Sequence, residues 1–191
     1  MKIVQLVNGF ALTASAPNSR IASYQRDSGK AIQKAEAVAV DTLLAKGFTV
    51  ISEARAKDTD VNQYATKVVR QINALVNAGV PPQHITVVGA SKGALITMRI
   101  STLLKNKDVN FVIMSNCNDW VDKNFQIDLY GNVLSIYDIK DEFGGTCQKF
   151  FDKAHGLNRH NEVVLKVGTG HAVLYKPLKE WVDPVVEWAK Q

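Results

Sequence analysis

The 191 residues predict a parallel, doubly wound α/β sheet of about six strands, a three-layer α/β/α sandwich in one domain spanning 1–191. Three observations predict it. Apolar, β-branched runs recur at 2–8, 48–54, 84–90, 109–117, 132–138 and 162–168, with little polar alternation, as in strands covered on both faces. Helical patterns fill the intervals, at 30–46, 60–79, 92–105, 144–154 and 179–190. The composition, 46% apolar and 21% charged, is that of a chain able to bury one core.

The first run, "KIVQLVN", is followed by the longest unassigned piece, 9–29. A loop of that length in a compact domain is uncommon and usually functional. After a helix over 30–46 comes the strand "FTVISEA". Asp60 then caps a helix whose apolar positions 61, 64, 65, 68, 69, 72, 75 and 76 share one face. Gly79 stops that helix, and Pro81-Pro82 launches the strand "HITVVGA". The remaining strands, "VNFVIMSNC", "NVLSIYD" and "EVVLKVG", alternate with the last three helices. No insertion is long enough for a lid domain.

Several function classes are set aside by the same residues. The net charge is +5, but the Lys and Arg residues are spread out, without the basic stripe that a phosphate backbone requires, so no nucleic-acid partner is expected. No apolar run approaches a membrane span. The opening "MKIVQLVNGF" has one lysine and then a core strand instead of a long apolar segment; the chain as given is expected in the cytoplasm, with export after removal of a signal peptide as the alternative. Neither H-E-x-x-H nor any His/Asp/Glu cluster at ligand spacing occurs, so no metal or cofactor is expected. Cys117 and Cys147 follow adjacent strands at one sheet edge and can be bridged, closing a loop of about thirty residues; a bridge would imply an oxidising compartment.

Chemistry concentrates at Gly89-Ala90-Ser91-Lys92-Gly93. In an open α/β sheet, ligands sit at the carboxyl ends of the strands, and Ser91 falls there, directly before a helix. Gly-x-Ser-x-Gly forces the serine into a sharp strand-to-helix turn, where only glycines two residues away let the backbones pass. The partners follow in the order serine, acid, histidine. His171 lies after the last strand, flanked by Gly168 and Gly170. His84 is at the opposite edge, and His155 and His160 belong to a polar segment before the last strand. The acid is Asp141, where a loop returns over the sheet, with Asp138 and Asp119 as alternatives. The oxyanion hole needs the Lys92 N–H and a second N–H after the first strand, for which Phe10 in Asn8-Gly9-Phe10 is placed.

These pieces resemble the α/β-hydrolase superfamily, and more narrowly small bacterial α/β-hydrolase-fold proteins without a cap domain. The resemblance runs through "VNGF" (7–10), "GASKG" (89–93), "YDIKDE" (137–142) and "GTGHAVLYKPLKEWVDPVVEWA" (168–189), and so touches most strands. It implies the spatial strand order 2-1-3-4-5-6, with no N-terminal antiparallel hairpin. Asn8-Gly9 stands where many relatives carry His-Gly.

The expected activity is that of a serine esterase cleaving small carboxylic esters, with Ser91, Asp141 and His171 as triad. Two rivals were weighed. "GASKG" and the Tyr175/Lys179 spacing resemble short-chain dehydrogenases, but the last glycine of a dinucleotide loop is missing, the loop follows the third predicted strand, and Pro177 breaks the helix that would align that pair. A non-catalytic small-molecule or partner-binding protein on the hydrolase scaffold is the other, since fold does not imply function.

Overall fold

A computed structural model describes residues 1–7, 20–23, 30–53, 55, 58–175 and 178–191. Its sheet has seven strands, all parallel: β1 (Ile3–Leu6), β2 (Arg20–Ser23), β3 (Thr49–Glu53), β4 (Ile85–Ala90), β5 (Asn110–Met114), β6 (Tyr130–Asp138) and β7 (Gly156–Leu165). They lie in the order β2-β3-β1-β4-β5-β6-β7. Removing β2 leaves the expected 2-1-3-4-5-6. The helices are α1 (Lys30–Ala45), α2 (Val61–Asn77), α3 (Lys92–Leu104), α4 (Asp119–Asn124), α5 (Gln148–Asp152) and α6 (Lys179–Lys190).

Side chains alternate across the sheet and feed two cores. On one face Val87, Phe111, Ile113 and Val133 meet Val68 and Ile72 of α2, Ile96 and Ile100 of α3, Val121 of α4 and Phe150 of α5. On the other, Val4, Leu6, Val88, Val112 and Leu134 meet Leu43 of α1 and Trp181, Val185 and Trp188 of α6. The α2 face is the one its spacing predicts. Asp60 caps that helix through a 2.8 Å bond from the Gln63 amide, and Gly79 follows it at φ +89°.

To the about six strands expected one is added: Arg20–Ser23, inside the unassigned segment 9–29, pairs with β3 at the edge of the sheet. Four residues carry no periodic signal. Three expectations are corrected. The last strand begins at Gly156, so His160 is a strand residue, packed on Phe151 with ring centroids 4.5 Å apart. That edge strand is largely half-buried or exposed, and its polar half, "GLNRHNE", hid it. The helix expected over 144–154 shrinks to Gln148–Asp152, because 141–147 form the loop carrying the expected acid. Asp119–Asn124 form a short helix that was not expected, capped by Asn118, which accepts from the Val121 amide at 3.0 Å.

Cys117 and Cys147 are joined in a disulfide, both buried, with Cα atoms 5.0 Å apart. The bridge ties the segment leaving β5 to the loop leaving β6. Closing thirty residues stabilises by about 3–4 kcal/mol on the chain-entropy model. Replacing both cysteines by alanine is expected to lower stability by that amount in chemical denaturation. Thiol titration of the unreduced, denatured protein is expected to find no free thiol.

Candidate active site

Because every strand runs the same way, the loops after β4, β5, β6 and β7 emerge at one edge of the sheet. Ser91 stands between β4 and α3 at φ 55°, ψ −121°, a backbone conformation that L residues occupy only under constraint. The constraint is visible. Its N–H donates to the Met114 carbonyl at 3.0 Å, and its carbonyl accepts from Ala94 N–H at 2.9 Å and Asn116 Nδ2 at 3.0 Å. A Cβ on Gly89 would come within 2.2 Å of the Gly93 carbonyl oxygen, so the first glycine of the turn cannot be replaced without moving α3.

His171 sits in a 3-10 turn, Gly170–Tyr175, after β7. Its Nε2 is 3.0 Å from Ser91 Oγ, and its Nδ1 is 3.0 and 3.1 Å from the two carboxylate oxygens of Asp141. Gly170 has φ +59°, and a Cβ there would approach the Lys140 carbonyl to 2.9 Å, so glycine lets the histidine turn close onto the acid loop. The Asp141 side chain is fully buried. Burial pushes its carboxyl up, but the Ser115 hydroxyl beside it, the Phe143 amide and His171 outweigh burial and hold it below the usual range. The Phe143 and Gly144 amides donate to Oδ1 at 2.9 and 3.1 Å, whereas Ser115 Oγ approaches without completing a well-formed hydrogen bond. An ionised carboxylate only accepts, so Nδ1 carries the ring proton and Nε2 presents its lone pair to Ser91.

The two alternative acids lie elsewhere. Asp119 is on the surface, paired with Lys149. Asp138, fully buried at the end of β6, receives Lys140 N–H at 2.9 Å on one oxygen and Val167 and Gly168 N–H at 2.9 and 3.0 Å on the other. It therefore joins the Asp141 loop to the loop leading into His171. Burial would raise its carboxyl, but these amides, with Gly170, hold it below the usual range. The stability it contributes is complete above the ordinary aspartate value of about 3.9 and is lost as pH falls through the lower folded value. Acid unfolding followed by circular dichroism is expected to set in below about pH 4. Asp138→Asn is expected to lower neutral-pH stability and to flatten that acid limb.

Two residues went unnoticed in the sequence. Asn116, at φ 130°, follows Ser115 at φ 54°, and this curled exit from β5 lets the Asn116 amide reach the Ser91 carbonyl. Asn118 Nδ2 donates to Asn116 Oδ1 at 3.0 Å and to the Phe143 carbonyl at 2.9 Å, linking the serine turn to the acid loop. The available signal was "SNCN" at the end of a buried strand, since asparagine tolerates left-handed backbone better than most residues. Lys92 begins α3, so its N–H has no acceptor within the helix and lies at the positive end of the helix dipole. Its side chain turns away, Nζ donating to the Thr59 carbonyl at 2.8 Å. Asn8, Gly9 and Phe10 lie outside the described residues.

Among the described residues no group of three or more His, Cys, Asp or Glu side chains could hold a metal ion, and no helix is long and apolar enough to cross a membrane.

No family model matches the chain, and no curated protein does. Solved structures do. The ydeN gene product of B. subtilis superposes with TM-score 0.61 at 12% identity, covering 100% of both chains. SOBER1 of Arabidopsis thaliana follows at 0.60 and 12%, covering 99% of this chain and 97% of its own. Alpha/beta hydrolase domain-containing protein 10 from mouse gives 0.56 at 10%, covering 96% and 86%. The fold is that of the α/β hydrolases. Identities this low establish architecture and leave the chemistry to the side chains. In this α/β-hydrolase fold no lid domain is inserted among the described residues, and the strands described are all parallel.

Proposed function

We propose that the chain is a serine hydrolase that cleaves small carboxylic esters through an acyl-enzyme on Ser91. The observation that carries this is the 3.0 Å approach of His171 Nε2 to Ser91 Oγ, with Nδ1 held by the buried Asp141 carboxylate. A hydroxyl is a weak nucleophile at neutral pH, and an oriented neutral imidazole is what activates it.

Ser91 Oγ attacks the ester carbonyl carbon while its proton passes to His171 Nε2. Asp141 stabilises the imidazolium so formed. The Lys92 and Phe10 amides receive the oxyanion, and α3 adds the field of its N-terminus. Collapse breaks the carbon–oxygen bond to the alkoxide, which takes the proton from His171 and leaves as alcohol. A water then attacks the acyl-serine, again losing its proton to His171. The second collapse releases the carboxylic acid and restores the Ser91 hydroxyl.

The strain at Ser91 fits this role, because the turn projects Oγ from the sheet edge and the network through Asn116 and Met114 holds it. The buried disulfide supports the exported alternative over the cytoplasm, since such bridges persist in oxidising compartments. The test is a pre-steady-state burst with p-nitrophenyl acetate, followed by mass spectrometry of the quenched protein. One acetyl group on the Ser91 peptide supports the assignment; turnover without acylation of Ser91 contradicts it.

A further inference from the structure

Beside the Ser91–His171 pair the sheet edge opens into a cleft of about 440 Å³, lined by Asn116, Asn118, Asp119, Trp120, Glu142 and Phe143. Its volume is in the range of small-molecule sites. Two of its lining residues touch the pair. Asn116 holds the Ser91 carbonyl, and the Phe143 ring stands edge-on to the His171 ring with centroids 5.3 Å apart. A group seated in the cleft is thus separated from Ser91 and His171 by one lining residue each.

The lining has a definite chemistry. Trp120 and Phe143 are 58% and 63% exposed, which leaves two large aromatic surfaces in water beside the catalytic pair. Trp120 leans on Phe125, ring centroids 5.6 Å apart, so its ring is braced. Exposed aromatic area is a standing source of binding free energy for a flat apolar group. Among the lining amides, both N–H groups of Asn118 Nδ2 are committed, to Asn116 Oδ1 and the Phe143 carbonyl, and Asn116 Nδ2 spends one of its two on the Ser91 carbonyl. The charged residues of the lining are the carboxylates Glu142 and Asp119, the latter paired with Lys149.

We infer that this cleft is the subsite for one side of the ester, receiving an aromatic group without negative charge, with Trp120 and Phe143 as specificity-determining residues. This rests on Ser91 being the nucleophile for its place in catalysis, but binding can be read without turnover. Ser91→Ala protein is titrated with benzyl acetate, ethyl benzoate and monoethyl succinate, following tryptophan fluorescence and calorimetric heat. At least one aromatic ester is expected to bind, and monoethyl succinate at least about tenfold more weakly. Adding Trp120→Ala is expected to weaken the aromatic ester by about tenfold, the scale of one lost aromatic contact with its buried area. In the otherwise wild-type enzyme, Trp120→Ala is expected to raise KM for that ester by a similar factor, and to lower kcat/KM for it several-fold more than for ethyl acetate. Glu142→Lys is expected to improve monoethyl succinate several-fold, as reversing a charge beside the ligand requires.

Equal binding of the anionic and aromatic esters overturns the assignment. So does aromatic binding indifferent to Trp120→Ala, or no binding by either aromatic ester. If the wild-type protein acylates Ser91 but these effects are missing, the subsite alone is wrong. If the aromatic ester binds through Trp120 and Ser91 never acylates, the subsite stands and the hydrolase assignment falls.

Discussion

His171→Ala is expected to lower kcat for ester hydrolysis by about 10⁶, and adding Ser91→Ala is expected to lower it no further. The two side chains face each other at 3.0 Å, and in the proposed mechanism they share one proton transfer, so removing either removes the same step. Residual turnover would come from bound substrate and the oxyanion donors alone. Single-turnover kinetics on the two single variants and the double variant reads this directly. Multiplicative losses, with the double variant far below each single, would mean that the serine and the histidine act independently.

Asp141→Asn is expected to cost about 10⁴ in kcat with the fold intact. The carboxylate accepts a hydrogen bond from Nδ1–H and so fixes the tautomer that leaves Nε2 able to accept from Ser91. An asparagine amide can turn its NH2 toward Nδ1, which stabilises the tautomer that cannot serve as base. Asp138→Asn touches no ring atom, so its kinetic loss is expected to be far smaller and its stability loss larger. Measuring kcat and denaturation midpoints for the two variants side by side separates the acid facing His171 from the anchor behind it.

The sheet centre was legible because β1, β3, β4, β5 and β6 are largely buried and read as mainly apolar runs without regular polar alternation. The sheet edges were not. Arg20–Ser23 offers one isoleucine, and the first half of β7 is polar, since an edge strand has solvent where a central strand has a neighbour. The serine turn was legible from its glycines, and the position of His171 from strand order, because parallel strands put all their exits at one edge. Choosing between Asp138 and Asp141 depended on where β6 ends and which way the loop curls, and three residues of spacing do not fix that. The structure shows Asp138 as the strand's last residue, its carboxylate spent on backbone amides. Asn116 and Asn118 act through left-handed backbone and side-chain bonds to distant carbonyls, which no spacing rule reports. The disulfide was geometrically foreseeable as an option, since both cysteines follow adjacent strands, but whether it forms depends on the approach of two loops.

The proposed function requires Ser91 to be an activated nucleophile in the folded protein. Its most direct test is labelling by a fluorophosphonate probe, whose phosphorus becomes tetrahedral only when an activated oxygen attacks and donors receive the charge. Native wild-type protein is expected to be labelled stoichiometrically at Ser91. Labelling is expected to be absent after denaturation and in Ser91→Ala, and nearly absent in His171→Ala. Lys92→Ala is expected to label almost normally, because the Lys92 contribution is a backbone N–H and its side chain points to Thr59. A folded protein that leaves the probe untouched and turns over no ester would contradict the account, and would mark the arrangement around Ser91 as a binding scaffold.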